Sequence, residues 1–203
     1  MQCSEESHGL GIMATRNQTH RASSRPGRRL SRLGFTLVEL MMVIAIIGIL
    51  AAIAIPAIIS WLPNIRLNAA IRDTHGAMMQ AKSEALKRNV NCAMTFNQAV
   101  GGQTYAFIIY ADADRDYEYD AGEIIIARME GWPAGVSFNP AEGGGDGLTF
   151  TDNDDDKPTI AFGPTGFPSA NGGAIGTGTV HLVSTKGRTR SVVVSKSGNI
   201  SIK

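Results

Sequence analysis

Leu40 to Ile59 is an unbroken run of apolar or small residues, 20 positions without a charge. At ~1.5 Å of rise per residue, a helix over this run spans roughly 30 Å, the hydrocarbon thickness of a bilayer. Lipid offers the backbone no hydrogen-bond partner, so a helix that satisfies itself is the expected structure. Residues 16 to 34 hold Arg16, Arg21, Arg25, Arg28, Arg29 and Arg32 and no acid. That bias predicts a cytoplasmic N-terminus, with the rest of the chain across the membrane.

Glu39 breaks the pattern. A carboxylate at the head of a membrane helix is costly and calls for a partner. A cut after Gly34 would create an amine at Phe35, one helical turn from Glu39 in sequence. In a bundle of copies, the Phe35 ammonium of one chain would neutralise Glu39 of a neighbour and fix their axial register.

Gly34-Phe35-Thr36-Leu37-Val38-Glu39 before an apolar helix resembles the class III (prepilin) signal of type IV pilins and type II secretion pseudopilins. The resemblance implies a prepilin peptidase that cleaves between Gly34 and Phe35 and N-methylates Phe35. It also implies that Glu39 guides assembly into a helical filament. Pro56 falls where these families place a helix-breaking proline. An ordinary secretory signal cut near Ala52-Ile53-Ala54 fits less well, because the apolar run is too long and starts on a glutamate. A twin-arginine signal at Arg28-Arg29 is a weak match inside a general arginine cluster.

The reading divides the chain into a leader at 1–34, a transmembrane and assembly helix at 35–62, and a periplasmic head at 63–203. Met1 and Met13 are both available as starts. The formal charge of +1 hides an uneven distribution. Without the leader's six arginines and two glutamates, 13 basic and 16 acidic side chains remain, a net −3. Residues 112–156 carry 13 acids against Arg115 and Arg128, whereas 157–203 carry six basic residues and no acid. Such blocks predict a polarised surface. Cys3 lies in the leader, so Cys92 has no intrachain partner after processing and reads as a small buried strand residue.

Beyond Pro63, Leu67, Ile71, Thr74, Met78, Ala81 and Ala85 recur every three or four residues. They mark one face of an amphipathic helix to about Arg88. Pro56 and Pro63 are expected to bend the helix or open a turn. His75 reads as structural or exposed. Short β-branched segments follow at Cys92–Phe96, Tyr105–Tyr110, Ile124–Arg128, Val136–Phe138, Thr159–Phe162, Val180–Ser184, Ser191–Ser195 and Ile200–Ile202. Gly101-Gly102 marks a hairpin connection. Glu142–Gly147 and Ser169–Gly178 read as mobile glycine-rich loops.

Residues 68 to 203 resemble the GspH/FimT group of minor pilins and pseudopilins. The resemblance rests on the acidic hairpin before Gly122-Glu123, on Phe162-Gly163-Pro164-Thr165-Gly166, and on the final Gly187…Ser197-Gly198-Asn199-Ile200 strands. It implies an α+β fold, a pilin-like lollipop whose long N-terminal hydrophobic helix packs on an antiparallel β-sheet head.

Two constellations carry candidate chemistry. In Asp112-Ala-Asp114-Arg-Asp116-Tyr-Glu118-Tyr-Asp120-Ala-Gly122-Glu123, oxygen donors fall at the spacing of an EF-hand loop. Asp112, Asp114, Asp116, Asp120 and Glu123 are its candidate ligands for Ca2+. Tyr117 stands where the sharp turn wants glycine, and strands rather than helices flank the loop, so a solvated acidic turn fits as well. Asp152-Asn153-Asp154-Asp155-Asp156 reads as a solvated loop.

The second is Lys186-Gly187-Arg188-Thr189-Arg190, with Lys196 and Lys203 nearby in sequence. Arg188 and Arg190 share a face in a strand, and guanidinium forks suit phosphates. Gly-Arg-Thr-Arg resembles the Gly-Arg-x-Arg pattern of DNA-binding FimT-like minor pilins. By that resemblance Arg188 and Arg190 contact the DNA backbone while Lys186 and Lys196 add field. A solvated turn, or contact with an acidic neighbouring subunit, remains open.

No hydrolase, zinc-protease or phosphate-loop motif is present, so no enzyme and no obligatory cofactor are expected. The expectation is a minor type IV pilin that binds DNA for uptake. The alternative is a type II secretion pseudopilin. Its expected partners are other pilins or pseudopilins, prepilin peptidase and the filament assembly machinery of the bacterial inner membrane.

Overall fold

The structure, a computed structural model, describes residues 34 to 203; the leader, Cys3 and both starts lie outside them. Two compact units divide at Ile44/Ala45. Helix α1 spans Leu37–Arg88.

In the first unit, Thr36 caps the helix. Its Oγ1 accepts the Glu39 N–H at 3.2 Å, and its carbonyl accepts the Leu40 N–H at 3.1 Å. Thr36-x-x-Glu39 is thus a capping-box sequence, with Glu39 in the first turn, where the helix dipole favours an acid.

In the second unit, α1 continues through both prolines, and the turn expected as one outcome opens at neither. Each proline leaves one carbonyl, that of Ala52 or Ile59, without its usual partner. A long apolar helix absorbs this as membrane helices do, because the turns on either side stay intact. Among the described residues, α1 is the one helix long and apolar enough to cross a membrane.

Ten strands follow: β1 (Asn91–Val100), β2 (Gln103–Asp112), β3 (Ile125–Met129), β4 (Val136–Phe138), β5 (Thr159–Phe162), β6 (Pro168–Ala170), β7 (Ala174–Ile175), β8 (Gly178–Ser184), β9 (Thr189–Val194) and β10 (Ile200–Ile202). They form two antiparallel sheets, one ordered β3-β2-β1-β5-β6-β7 and one ordered β10-β9-β8-β4. The expected segments are all present. Glu142–Gly147 instead holds a short 3-10 turn at Gly143–Gly145, and Ser169–Gly178 holds most of β6 and all of β7. Their glycines hid short pairings that only the neighbouring strand stabilises. Gly101 and Gly102 both have positive φ, as a two-residue hairpin turn demands, and set Val100 opposite Gln103.

The expected stripe of α1 is buried whole, from Leu67 through Ala85. It packs with Met94, Phe96, Ile109, Ile160 and Phe162 of one sheet and with Val180, Leu182, Val192 and Val194 of the other. Phe96 joins the layers. Its ring stacks on Phe150 at 5.5 Å and meets Phe107 and Phe138 edge-on. Cys92 is buried as expected, and burial pushes its thiol up to about 11, which makes it a poor nucleophile.

The six-stranded sheet is covered on its other face too. Ala93, Tyr105, Ile108, Tyr110 and Ala161 form a second core there, closed by Tyr117 and packed by Tyr119. On that face Thr95 Oγ1 lies 3.1 Å from the Tyr110 hydroxyl and 2.9 Å from Thr159 Oγ1.

Candidate functional site

Phe35 and Thr36 precede the helix in non-helical backbone, and Phe35 is 85% exposed. The expected scissile bond, Gly34–Phe35, therefore lies outside any helical hydrogen bonding, and Glu39 is exposed beside it in sequence.

The basic segment forms the turn from β8 to β9. Gly187 has φ +77°, and its N–H donates to Ser184 O at 2.8 Å while Ser184 N–H donates to Arg188 O at 2.8 Å. A side chain at Gly187 would be strained in that left-handed conformation. Lys186 and Arg188 are exposed and Arg190 is half-buried. Val192 and Val194 continue the face of Arg190 inward to the core, so strand alternation aims Arg188 and Arg190 to the helix side. There Arg190 shares a recess with Asn68, Ile71, Arg72 and Ile202. The turn is tied to the helix by Ser184 Oγ, which donates to Asn64 Oδ1 at 2.8 Å.

Two members of the basic group change. Lys203 exchanges backbone hydrogen bonds with Ser191, which puts its side chain on the Ser191 face of the sheet, opposite to that of Arg190. Lys196 leaves the group. It lies beyond the far end of β9, eight residues from Arg188 and about 25 Å away along extended chain. Its turn is held instead by Lys82 Nζ, which donates to Gly198 O at 2.8 Å. Arg72 joins in its place, a residue that sequence separation concealed. Among the described residues the side-chain ion pairs join Glu84 to Lys87 and Arg88, and none occupies Arg72, Arg188 or Arg190.

The acidic segment is not a free turn. Tyr117 and Tyr119 alternate with its acids and fold it back over the outer face of the six-stranded sheet. The rings of Tyr119 and Tyr110 meet edge-on at 5.4 Å. Tyr117 is only 8% exposed and takes φ +67°, the left-handed conformation that glycine would supply. Asn153 Nδ2 donates to Tyr117 O at 3.0 Å, so the run Asp152–Asp156 docks on this loop rather than standing alone in solvent.

Asp112, at the end of β2, is wholly buried, with Oδ1 accepting the Arg115 N–H at 2.7 Å. One carboxylate oxygen each from Asp112, Asp114 and Asp116 lies within 4.8 Å of the others. Asp120 and Glu123 are not in that group. Glu123 instead clasps the loop, its Oε1 accepting the Ala113 N–H and its Oε2 the Asp120 N–H. Burial first, then the charges of Asp116 and Asp114, push the Asp112 carboxyl up to about 6. Burial and then Asp155, Asp116, Asp154 and Asp120 push Glu118 up as well.

The other histidine and cysteine positions carry no comparable cluster among the described residues. His75 Nε2 lies 3.3 Å from Ile200 O, between helix and strand, as a structural residue would.

The model of the family described as "Type II transport protein GspH" matches residues 70–198, most of the chain. The chain belongs to the GspH family. A second model, the prokaryotic N-terminal methylation motif, matches residues 29–55. This GspH-family chain is 29% identical to pilin-like protein PilA1 of Thermus thermophilus over 83% of its own length and 97% of that protein. Two fimbrial proteins of Pseudomonas aeruginosa are 44% identical over 54 residues, which cover 27% of this chain and 35% of theirs. The crystal structure of the type IV minor pilin FimU of Pseudomonas aeruginosa covers 69% of this chain and 90% of that one, with a TM-score of 0.42 and 14% identity. The family is one of pilin-like structural subunits that assemble with other pilins, not an enzyme family.

Proposed function

We propose that this chain is a minor type IV pilin that captures DNA for uptake. It is cut between Gly34 and Phe35 by prepilin peptidase and methylated at Phe35. It waits as a single-pass inner-membrane protein, head in the periplasm, and then enters a filament. The helix supports this most directly. From Leu37 to Leu50 every side chain is exposed, and nearly all are apolar. Such a surface is tolerated only in lipid or against other apolar helices. In the filament, Glu39 would meet the Phe35 amine of a neighbour. No catalytic step is part of this reading.

DNA capture rests on the cations of the β8–β9 turn, which have no carboxylate partner among the described residues. Arg188, Arg190 and Lys186, with Arg72 beside Arg190, suit phosphates, so binding would be sequence-tolerant and weaken steeply with salt. The second reading, a type II secretion pseudopilin, is favoured by the description of the matching family model.

One titration separates the two. The full chain in detergent micelles is titrated with fluorescent duplex DNA at about 50 and about 200 mM salt. The DNA reading expects binding at low salt, a large loss at high salt, and a further loss in Arg188→Ala/Arg190→Ala. No binding at low salt, or an unchanged affinity in the double variant, overturns it and leaves the secretion subunit.

A further inference from the structure

We propose that the loop between β2 and β3 binds a calcium ion through Asp112, Asp114 and Asp116. The deciding atom is Asp112 Oδ2. Asp112 is 0% exposed, and although Oδ1 takes the Arg115 N–H, Oδ2 is buried without any hydrogen-bond partner. A buried carboxylate oxygen left unpaired is strongly unfavourable, and native proteins resolve it with a hydrogen bond, a countercharge or a metal. Among the described residues no lysine or arginine pairs with it. Around the same carboxylate stand two more, Asp114 and Asp116: one oxygen from each of the three lies within 4.8 Å of the others.

The chemistry selects the ion. The donors are all carboxylate oxygens, which suit hard cations rather than zinc or copper. Oxygens within 4.8 Å of one another can all reach a single calcium ion at about 2.4 Å. Magnesium at about 2.1 Å wants a tighter, octahedral set and keeps more of its water. Asp114 is exposed, so water has access to complete the six to eight positions calcium takes.

The loop is already held in place. The Tyr117 and Tyr119 rings anchor it to the sheet, Asn153 holds the Tyr117 carbonyl, and Glu123 clasps Ala113 to Asp120. The second acidic run docks on this loop through Asn153, so Asp154 and Asp155 add to a strongly negative local field that draws a cation in. The ligand set differs from the EF-hand register: the first three acids bind, and Glu123 closes the loop. This inference does not depend on DNA capture.

The test is thermal unfolding of the full chain in detergent micelles at pH 7.5, in EDTA, CaCl2, MgCl2, or NaCl of matched ionic strength. Extracellular calcium modules bind at roughly 10⁻⁴–10⁻³ M. At about 100 times Kd, Tm should rise by ~5–10 °C in calcium and little in NaCl. Asp112→Asn should abolish the rise. So should Asp114→Asn/Asp116→Asn, which keeps the buried residue intact should Asp112→Asn fail to fold. Asp154→Asn/Asp155→Asn should retain most of it. An unchanged Tm in calcium, the same rise in NaCl, or a full rise in Asp114→Asn/Asp116→Asn overturns the proposal. An equal rise in magnesium overturns the choice of calcium.

Discussion

Asp112→Asn, made in the full chain and studied in EDTA, tests what burial of a carboxylate does to this head. Asp112 ionises at about 6 in the folded protein against 3.8 for the free side chain. Its folded pKa is therefore raised, the reverse of a salt-bridged acid. Between pH 3.8 and about 6 the native state keeps a proton that the unfolded chain has released. Stability from this group is full below pH 3.8, falls as pH rises through about 6, and stays low above it. One pKa unit is worth about 1.4 kcal/mol. Full burial would make the loss about 3 kcal/mol, and we discount this to about 1–2 kcal/mol because neighbouring Asp114 stands in water. Asparagine keeps an oxygen for the Arg115 N–H, carries no charge, and offers its amide N–H groups to Asp114 and Asp116. Urea unfolding followed by near-ultraviolet circular dichroism, at pH 4 and pH 7.5, reads the effect. Asp112→Asn should be more stable than wild type by about 1–2 kcal/mol at pH 7.5 and no more stable at pH 4. Equal or lower stability at pH 7.5 would refute the assignment of a buried, destabilising charge. Asp112 is not among the causes that raise Glu118 or lower Glu84, so these cancel in the difference; Glu123 is raised by burial first and in lesser part by Asp112, so the substitution relaxes it in the same stabilising direction at pH 7.5.

Other measurements follow from the same structure. Arg188→Ala/Arg190→Ala should flatten the dependence of DNA affinity on salt by roughly two phosphate contacts, whereas Lys196→Ala, at the other end of β9, should change little. Phe96→Ala opens a cavity where two sheets meet and should cost about 3–5 kcal/mol in urea unfolding; a loss under about 1 kcal/mol would show that the three neighbouring rings close over it. Mass spectrometry of protein from cells with active prepilin peptidase should find methylated Phe35 as the first residue, and a retained leader would refute processing. Glu39→Gln should leave the subunit in the membrane but reduce its recovery from sheared filaments.

Local pattern was enough for much of the fold. The α1 stripe from Leu67 to Ala85 was readable because helical spacing alone selects a buried face. The Gly101-Gly102 turn was readable because left-handed backbone at both positions leaves few alternatives. Two local readings fell short. Proline rules predicted a bend or an opened turn at Pro56 and Pro63; no turn opens, because a helix with intact turns on both sides tolerates a missing donor. Glycine content predicted mobility over Ser169–Gly178, where pairing with β5 orders the chain. The Thr36 cap, by contrast, follows the local Thr36-x-x-Glu39 pattern.

The candidate sites divide along the same line. The Gly34–Phe35 junction, Glu39 and the apolar run are local in sequence, so composition and spacing alone determined a helix that must be shielded from water, and the resemblance to a pilin-type signal rests on the same short stretch. Which charges act together was decided only by the tertiary structure. Arg72 meets Arg190 because helix and strands pack, while Lys196 is carried away by the length of one strand. Asp112 differs from Asp114 and Asp116 because it ends β2, where the fold buries it. Burial and electrostatic coupling depend on distance through space, and a one-dimensional sequence specifies that distance only after the chain has folded.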